Sequence, residues 1–285
     1  MRIISSLLSS FLVLFFIASI SLSQTACSKT MTEHDTTIKN IHDTTIKNIH
    51  DTTVIIDTFF NLNYGLVAYY NFNNGNLNDS SGNSNNIVFN NAVVASDRFG
   101  RPGNAYRFTG GAYMRVPNSP SLSPIQITLM AIVRFHNYYT GLAWWNEILM
   151  KGPSDPSSGV YGLRAHPISY DYTTALDTTT ETFGGFYGDG SSAGIGDNSF
   201  FIHGGVWNIV VYTYDGFVSK LYVNGVLRNT RTAPFGFNAN LNDLYIGKTE
   251  NPSFPYNFDG DIDEIRIYNR AVSPFFVGKL NTLTE

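Results

Sequence analysis

The chain has 285 residues, enough for one or two domains at about 150 residues each. With 43% hydrophobic and 14% aromatic residues it can bury a substantial core, which excludes general disorder. Lys+Arg 18 against Asp+Glu 22 gives a net charge of −4, so no basic excess exists to neutralise a phosphate backbone, and nucleic acid is excluded as the main partner.

Charged residues are only 14%, roughly half the usual share, and Asn, Ser, Thr and Gly fill the difference. Low charge with many β-branched and aromatic residues and frequent turn formers points to an all-β domain. The single Cys excludes an intramolecular disulfide and a Cys-based zinc cluster.

In chain order, Met1-Arg2 precede an apolar and hydroxylated run from Ile3 to Ile20, and no charge appears until Lys29. This is the layout of a secretory leader over 1–26. The run ends Ser23-Gln24-Thr25-Ala26-Cys27, so the only cysteine stands where a bacterial lipoprotein leader is cut. The segment resembles a lipobox, with Gln24 where that motif usually has Leu. Cys27 is read as lipidated and as the sole attachment to the membrane. The alternative is an uncleaved anchor, since about 18 uncharged residues nearly span a bilayer. Either way the remainder lies outside the cytoplasm, in the cell envelope or at the cell surface.

Residues 27–60 carry an eight-residue repeat, His34-Asp35-Thr36-Thr37-Ile38-Lys39-Asn40-Ile41, repeated identically from His42 to Ile49 and varied from His50 to Asp57. At about 100° per residue an apolar stripe would rotate by roughly 80° per repeat, so no helical face persists. An even period suits an extended strand, and three copies reach roughly 80 Å. The segment is expected to be a stalk. A metal-binding array of His34, His42 and His50 would need a folded scaffold to hold its geometry. Asp-Thr-Thr also resembles a tripeptide that some Gram-negative bacteria O-glycosylate.

From 61 to 285 short strands alternate with turns. Alternation runs through Leu66, Ala68, Tyr70 and Phe72, and strands follow at 105–108, 113–116, 125–135, 147–151, 160–164 and 207–214. Lys220 to Arg228 reads as a hairpin whose Asn224-Gly225 tolerates the positive φ of a type I′ turn. Strands at 244–247 and 262–268 complete the set. Ser273-Pro274 starts a helix, with Ser as cap and Pro at the first position. Such a series indicates a two-sheet antiparallel sandwich or jelly roll.

Five colinear motifs then carry a resemblance. Gly65 to Asn83, Phe99 to Phe108, Gly205-Val206-Trp207-Asn208, Leu221 to Gly225 and Phe258 to Arg270 resemble a bacterial laminin-G-like domain of the concanavalin A-like lectin/glucanase superfamily, over about residues 64–277. Ile132 stands where that family often has Trp, and 165–206 is a longer Gly-, Thr- and Asp-rich excursion, either a ligand-shaping loop or a surface loop. The resemblance implies the sandwich fold and hosts both binding modules and glycosidases.

In such domains, positions matching Asp79 and Asp263 help hold a structural calcium ion, and the turn around Asn83 offers further oxygens. The alternative is an Asx-turn at Asp79 and a pairing of Asp263 with Arg266 or a backbone N–H. Asp259, Asp261 and Asp263 would share one strand face about 6.7 Å apart, with Glu264 on the other. A retaining glycosidase needs two carboxyl groups about 5–5.5 Å apart. The superfamily's glucanases use paired Glu around an Asp, which this series lacks, so the sequence points away from hydrolysis.

Sugar recognition needs exposed rings beside amide and carboxylate groups. Tyr139, Trp144, Trp145 and Asn146 offer these in one stretch, and Tyr187 and Asp189 in the excursion. Trp207 is expected in the core. The functional expectation is a surface-anchored binding or adhesion module for a glycan or a surface or matrix protein. A structural or assembly role is the alternative.

Overall fold

The computed structural model describes residues 46–49, 52–55, 61–136, 146–152, 160–167, 181–188, 195–196, 202–232 and 240–283. The chain divides into two compact units, Met1–Leu62 and Asn63–Glu285. In the first, β1 (Ile46–Ile49) and β2 (Thr52–Ile55) pair antiparallel, Ile46 opposite Ile55 and Ile49 opposite Thr52. The eight described residues of the repeat therefore form strands, as its even period and its Thr and Ile content dictate. An isolated strand leaves every N–H and C=O to water, whereas antiparallel pairing satisfies half of them.

The second unit contains the remaining strands. They are β3 (Leu66–Tyr70), β4 (Phe89–Asn90), β5 (Val93–Ser96), β6 (Pro102–Phe108), β7 (Met114–Val116) and β8 (Ile127–Phe135). There follow β9 (Asn146–Lys151), β10 (Val160–Pro167), β11 (Glu181–Gly188), β12 (Ile195–Gly196) and β13 (Trp207–Tyr214). The last are β14 (Val218–Val223), β15 (Val226–Thr232), β16 (Leu244–Ile246) and β17 (Gly260–Tyr268), before the helix α1 (Pro274–Leu280). Among the described residues they build two antiparallel sheets. The first runs β15-β14-β13-β8-β17-β6-β5, with β3 beside the far half of β17, and the second runs β12-β11-β10-β9-β16-β7-β4.

The core lies between the sheets and follows the period-2 pattern. Leu129, Ala131, Val133 and Phe135 of β8, Val210, Tyr212 and Tyr214 of β13, and Ile262, Ile265 and Ile267 of β17 face Met114, Leu163, Phe183, Tyr187, Leu244 and Ile246 of the second sheet. Phe135 meets Phe258 edge-on at 4.8 Å and Phe183 at 5.9 Å. Each such ring contributes about 2–3 kcal/mol by leaving water. Asn224 and Gly225 both have positive φ, 52° and 78°, as a type I′ hairpin between β14 and β15 requires. Ser273 accepts from the Phe276 N–H and starts α1, whose Phe276 packs edge-on against Tyr268 at 5.5 Å on the outer side of the first sheet.

The excursion at 165–206 differs from either expectation of a loop, because it supplies β11 and β12. Its glycines weaken the strand signal, yet Gly185 is needed there: a Cβ would lie 2.5 Å from the Tyr212 ring across the core.

Candidate functional site

The second sheet carries a side-chain row on its outer face, read directly from strand register. Phe89 pairs with Arg115, Arg115 with Tyr245, Tyr245 with Met150, Met150 with Gly162, and Gly162 with Phe186. Their neighbours Met114, Val116, Leu244, Ile246 and Leu163 turn inward, so the row faces out. Tyr113 joins it just before β7. Its ring stacks on Phe89 at 4.6 Å and lies 5.9 Å from Tyr245. The Lys248 ammonium sits 4.0 Å from the Tyr113 ring and 5.5 Å from Tyr245. Burial lowers the Lys248 pKa and raises that of Tyr245, which Glu250 and Asp243 raise further.

Polar groups border these rings. Arg115 donates to Asp243 at 2.7 Å, whose other oxygen accepts from the Asn118 N–H, and the Asn242 amide donates to Glu250 at 2.6 Å. The loops that present them are tied together by Lys151. Its ammonium donates to the Asn118 and Asn240 side-chain oxygens and to the Asn242 carbonyl at 2.7–3.0 Å, while burial draws its pKa down to about 8. The result is a comb of partly exposed rings beside amide, carboxylate and guanidinium groups. Apolar ring surface can bind a sugar's C–H face, and the border can bind its hydroxyls.

One turn along, Glu147 of β9 pairs with Arg164 of β10. Arg164 lies 3.9 Å over the Phe186 ring, and its Nε is 3.4 Å from Glu147. Among the described residues neither oxygen of the buried Glu147 carboxyl has a hydrogen-bond partner. Burial pushes its pKa up to about 7, against the opposing charge of Arg164.

Of the expected ligand residues, Tyr139, Trp144, Trp145 and Asp189 lie outside the described residues, as does Cys27. Asn146 opens β9 and is fully buried. Tyr187 is not a surface platform: it is 1% exposed, its hydroxyl donates to the Pro124 carbonyl at 2.6 Å, and its ring packs 4.7 Å from Tyr214. Strand alternation turns it inward opposite Tyr161. Trp207, expected in the core, instead stands on the outer side of the first sheet and is partly exposed, with Arg134 4.7 Å over its ring.

Asp79, Asn83 and Asp263, expected at a calcium ion, are each engaged by protein groups. Both Asp79 oxygens are saturated by donors, the N–H groups of Tyr69, Ser81 and Asn85 and the Ser81 hydroxyl, at 2.8–3.0 Å. Asn83 turns its NH2 toward the Leu66 and Val67 carbonyls. Asp263 is held by the Arg98 guanidinium at 2.8 Å and the Arg98 N–H at 3.2 Å; of the alternative, Arg266 or a backbone N–H, the backbone N–H is the partner found. Asp79 thus spends both oxygens on protein donors, whereas the bonds to Asp263 fall on its Oδ2. Among the described residues no group of three or more His, Cys, Asp or Glu is placed to hold a metal ion.

The acidic series is also rearranged by a register shift between Ile262 and Glu264, which pair with Val133 and Ile132. The extra residue is Asp263. Glu264 therefore joins Asp261 on the outer face, where the Arg266 Nε donates to it. Asp261 is engaged by Arg107, Arg134 and His136.

The chain belongs to the concanavalin A-like lectin/glucanases superfamily, whose laminin-G-type family model matches residues 108–275. No curated protein matches it in sequence. Domain 4 of an extracellular arabinanase from Geobacillus stearothermophilus, solved in complex with arabinotriose, is 24% identical with a TM-score of 0.55, covering 76% of this chain and 98% of that one. The binding domain of Paraclostridial Mosquitocidal Protein 1 is 16% identical with a TM-score of 0.59, covering 78% of this chain and 52% of that one. The sialidase of Trypanosoma rangeli is 20% identical with a TM-score of 0.52, covering 76% and 32%. At these identities the likeness is one of fold.

Proposed function

We propose that the domain is a carbohydrate-binding module whose ligand lies across the outer face of the second sheet, on Phe89, Tyr113 and Tyr245. The observation that carries this reading is the row of partly exposed rings bordered by Lys248, Arg115–Asp243 and Asn242–Glu250. The arabinotriose complex of the similar arabinanase domain adds support from the same fold. The leader-like segment and Cys27 support display outside the cytoplasm on a lipid anchor, with 27–60 as the tether.

The test is a glycan array probed with the full chain. A saccharide class that binds the wild type and loses binding in both Tyr113→Ala and Tyr245→Ala is expected. An array that stays silent, or a signal unchanged in both variants, refutes the reading. Radioactive palmitate labelling that is lost in Cys27→Ala is expected for the anchor, and equal labelling of the two proteins refutes it.

A further inference from the structure

On the outer side of the first sheet, one carboxylate organises three basic side chains. Asp261 lies on β17, between β6 and β8, and its side chain is 0% exposed. Arg107 of β6 donates Nε to Oδ1 at 2.9 Å and Nη2 to Oδ2 at 3.3 Å. Arg134 of β8 donates Nε and Nη2 to Oδ2. His136 adds Nε2 at 2.7 Å, the donor nitrogen toward an ionised carboxylate.

These bonds engage the inner edge of each guanidinium. Nη1 of Arg107 and Nη1 of Arg134 make no hydrogen bond among the described residues. The side chains carrying them are 45% and 26% exposed. Donors held rigidly by a buried partner and left open outward lose little entropy on meeting a ligand. Two guanidinium forks suit a planar carboxylate or a sulfate better than point charges would. Beside them, Trp207 pairs in register with Arg134 and presents a partly exposed indole. Asp259 is the acid that opposes an incoming anion, since it faces His136 and Arg107.

We propose that Arg107, Arg134 and Trp207 form a second binding site, for the carboxylate or sulfate of an acidic saccharide whose ring lies against Trp207. It uses a different sheet and different side chains from the aromatic row, so the two can fail separately. A purely structural ion-pair network would hold the strands in the same way but bind nothing.

The experiment titrates the full chain with tri-galacturonate, with neutral galactotriose and with inorganic sulfate. Tri-galacturonate is expected to bind, more weakly as salt rises from about 0.05 to 0.5 M, and galactotriose is expected not to bind at this site. Arg107→Gln leaves Arg134 and His136 on Asp261 and is expected to weaken binding about tenfold, one charge-assisted contact. It leaves any neutral-glycan signal of the array intact. Asp259→Asn is expected to strengthen binding, and thermal unfolding checks that both variants fold. Competition by sulfate supports recognition of the anionic group itself. Binding of sulfate without tri-galacturonate overturns the saccharide assignment. Absence of salt-sensitive binding, or wild-type affinity in both variants, overturns the site.

Discussion

Replacing Glu147 by glutamine should change how stability depends on pH. In the folded chain its carboxyl is 1% exposed, its oxygens make no hydrogen bond among the described residues, and Arg164 Nε lies 3.4 Å away. Burial raises the pKa from 4.5 to about 7, with Arg164 opposing. Between these values the folded state keeps a proton that the unfolded state has lost. Stability linked to this group is therefore complete below pH 4.5, falls as pH rises, and is lost above about 7. At about 1.4 kcal/mol per pH unit, a window of about 2.5 units is worth roughly 3 kcal/mol. Glutamine keeps the shape without the charge, so it abolishes this slope. At pH 8 it should be the more stable protein by up to about 3 kcal/mol, reduced by the partner Arg164 loses. For a domain of this size the ceiling corresponds to roughly 6–12 °C in Tm. Guanidinium unfolding at intervals from pH 4 to 8 measures both curves. A Glu147→Gln variant with the wild-type slope, or one less stable than wild type at pH 8, refutes the reasoning.

Other expectations rest on other parts of the sandwich. Arg98→Met should cost about 3 kcal/mol, because it strands the buried Asp263 carboxylate, whereas a chelator should leave Tm unchanged; a fall in Tm on chelation that calcium reverses would reinstate the metal. Asp261→Asn should cost about 3 kcal/mol near neutrality. Burial pushes the Asp261 pKa up, but Arg107, Arg134 and His136 outweigh it and hold it below the ordinary 3.8, so its contribution is present above that value and lost as pH falls through the folded pKa. Acid unfolding should accordingly begin at higher pH in the wild type than its stability difference at pH 7 alone implies, and a parallel acid limb in the variant would contradict this. Gly247→Ala should destabilise by about 2–4 kcal/mol, since φ is +87° and a Cβ would lie 2.5 Å from the Phe108 ring, while Gly204→Ala, with its nearest contact at 3.8 Å, should be nearly neutral in the same melt.

What was legible in the sequence is what local chemistry determines. Asn224-Gly225 can adopt positive φ at both turn positions, and it does. Ser273-Pro274 supplies a cap and a preset φ, and α1 starts there. The alternation through Leu129, Ala131, Val133 and Phe135 fixes which side of β8 meets the core. β11 was illegible because Thr182-Phe183-Gly184-Gly185-Phe186-Tyr187-Gly188 reads as turn chemistry. Only the partner strand shows why glycine is required, since Tyr212 fills the space a side chain would take. The aromatic row was illegible for a related reason. Phe89, Tyr113, Tyr245 and Lys248 are far apart along the chain, and only the register of β4, β7 and β16 brings them together.

The misplaced charges share a cause that bears on function. Strict alternation puts Asp259, Asp261 and Asp263 on one face and Glu264 on the other, but one extra residue in β17 moves Glu264 beside Asp261. Two acids on one outer face would repel, and each is instead matched: Asp261 by Arg107 and Arg134, Glu264 by Arg266. The matching is unequal. Arg266 is 1% exposed and lies 4.0 Å over Tyr69, so its charge is spent inside the fold. Arg107 and Arg134 keep an edge in solvent beside Trp207. The same bulge that removes Asp263 from the row thus leaves Asp261 as the acid that holds Arg107, Arg134 and His136. Deleting Asp263 would therefore leave Asp261 opposite Arg134 and Glu264 opposite Ile132 and remove only the ion pair with Arg98, so a fall in Tm with tri-galacturonate binding retained is expected, and loss of that binding would refute this account of the bulge.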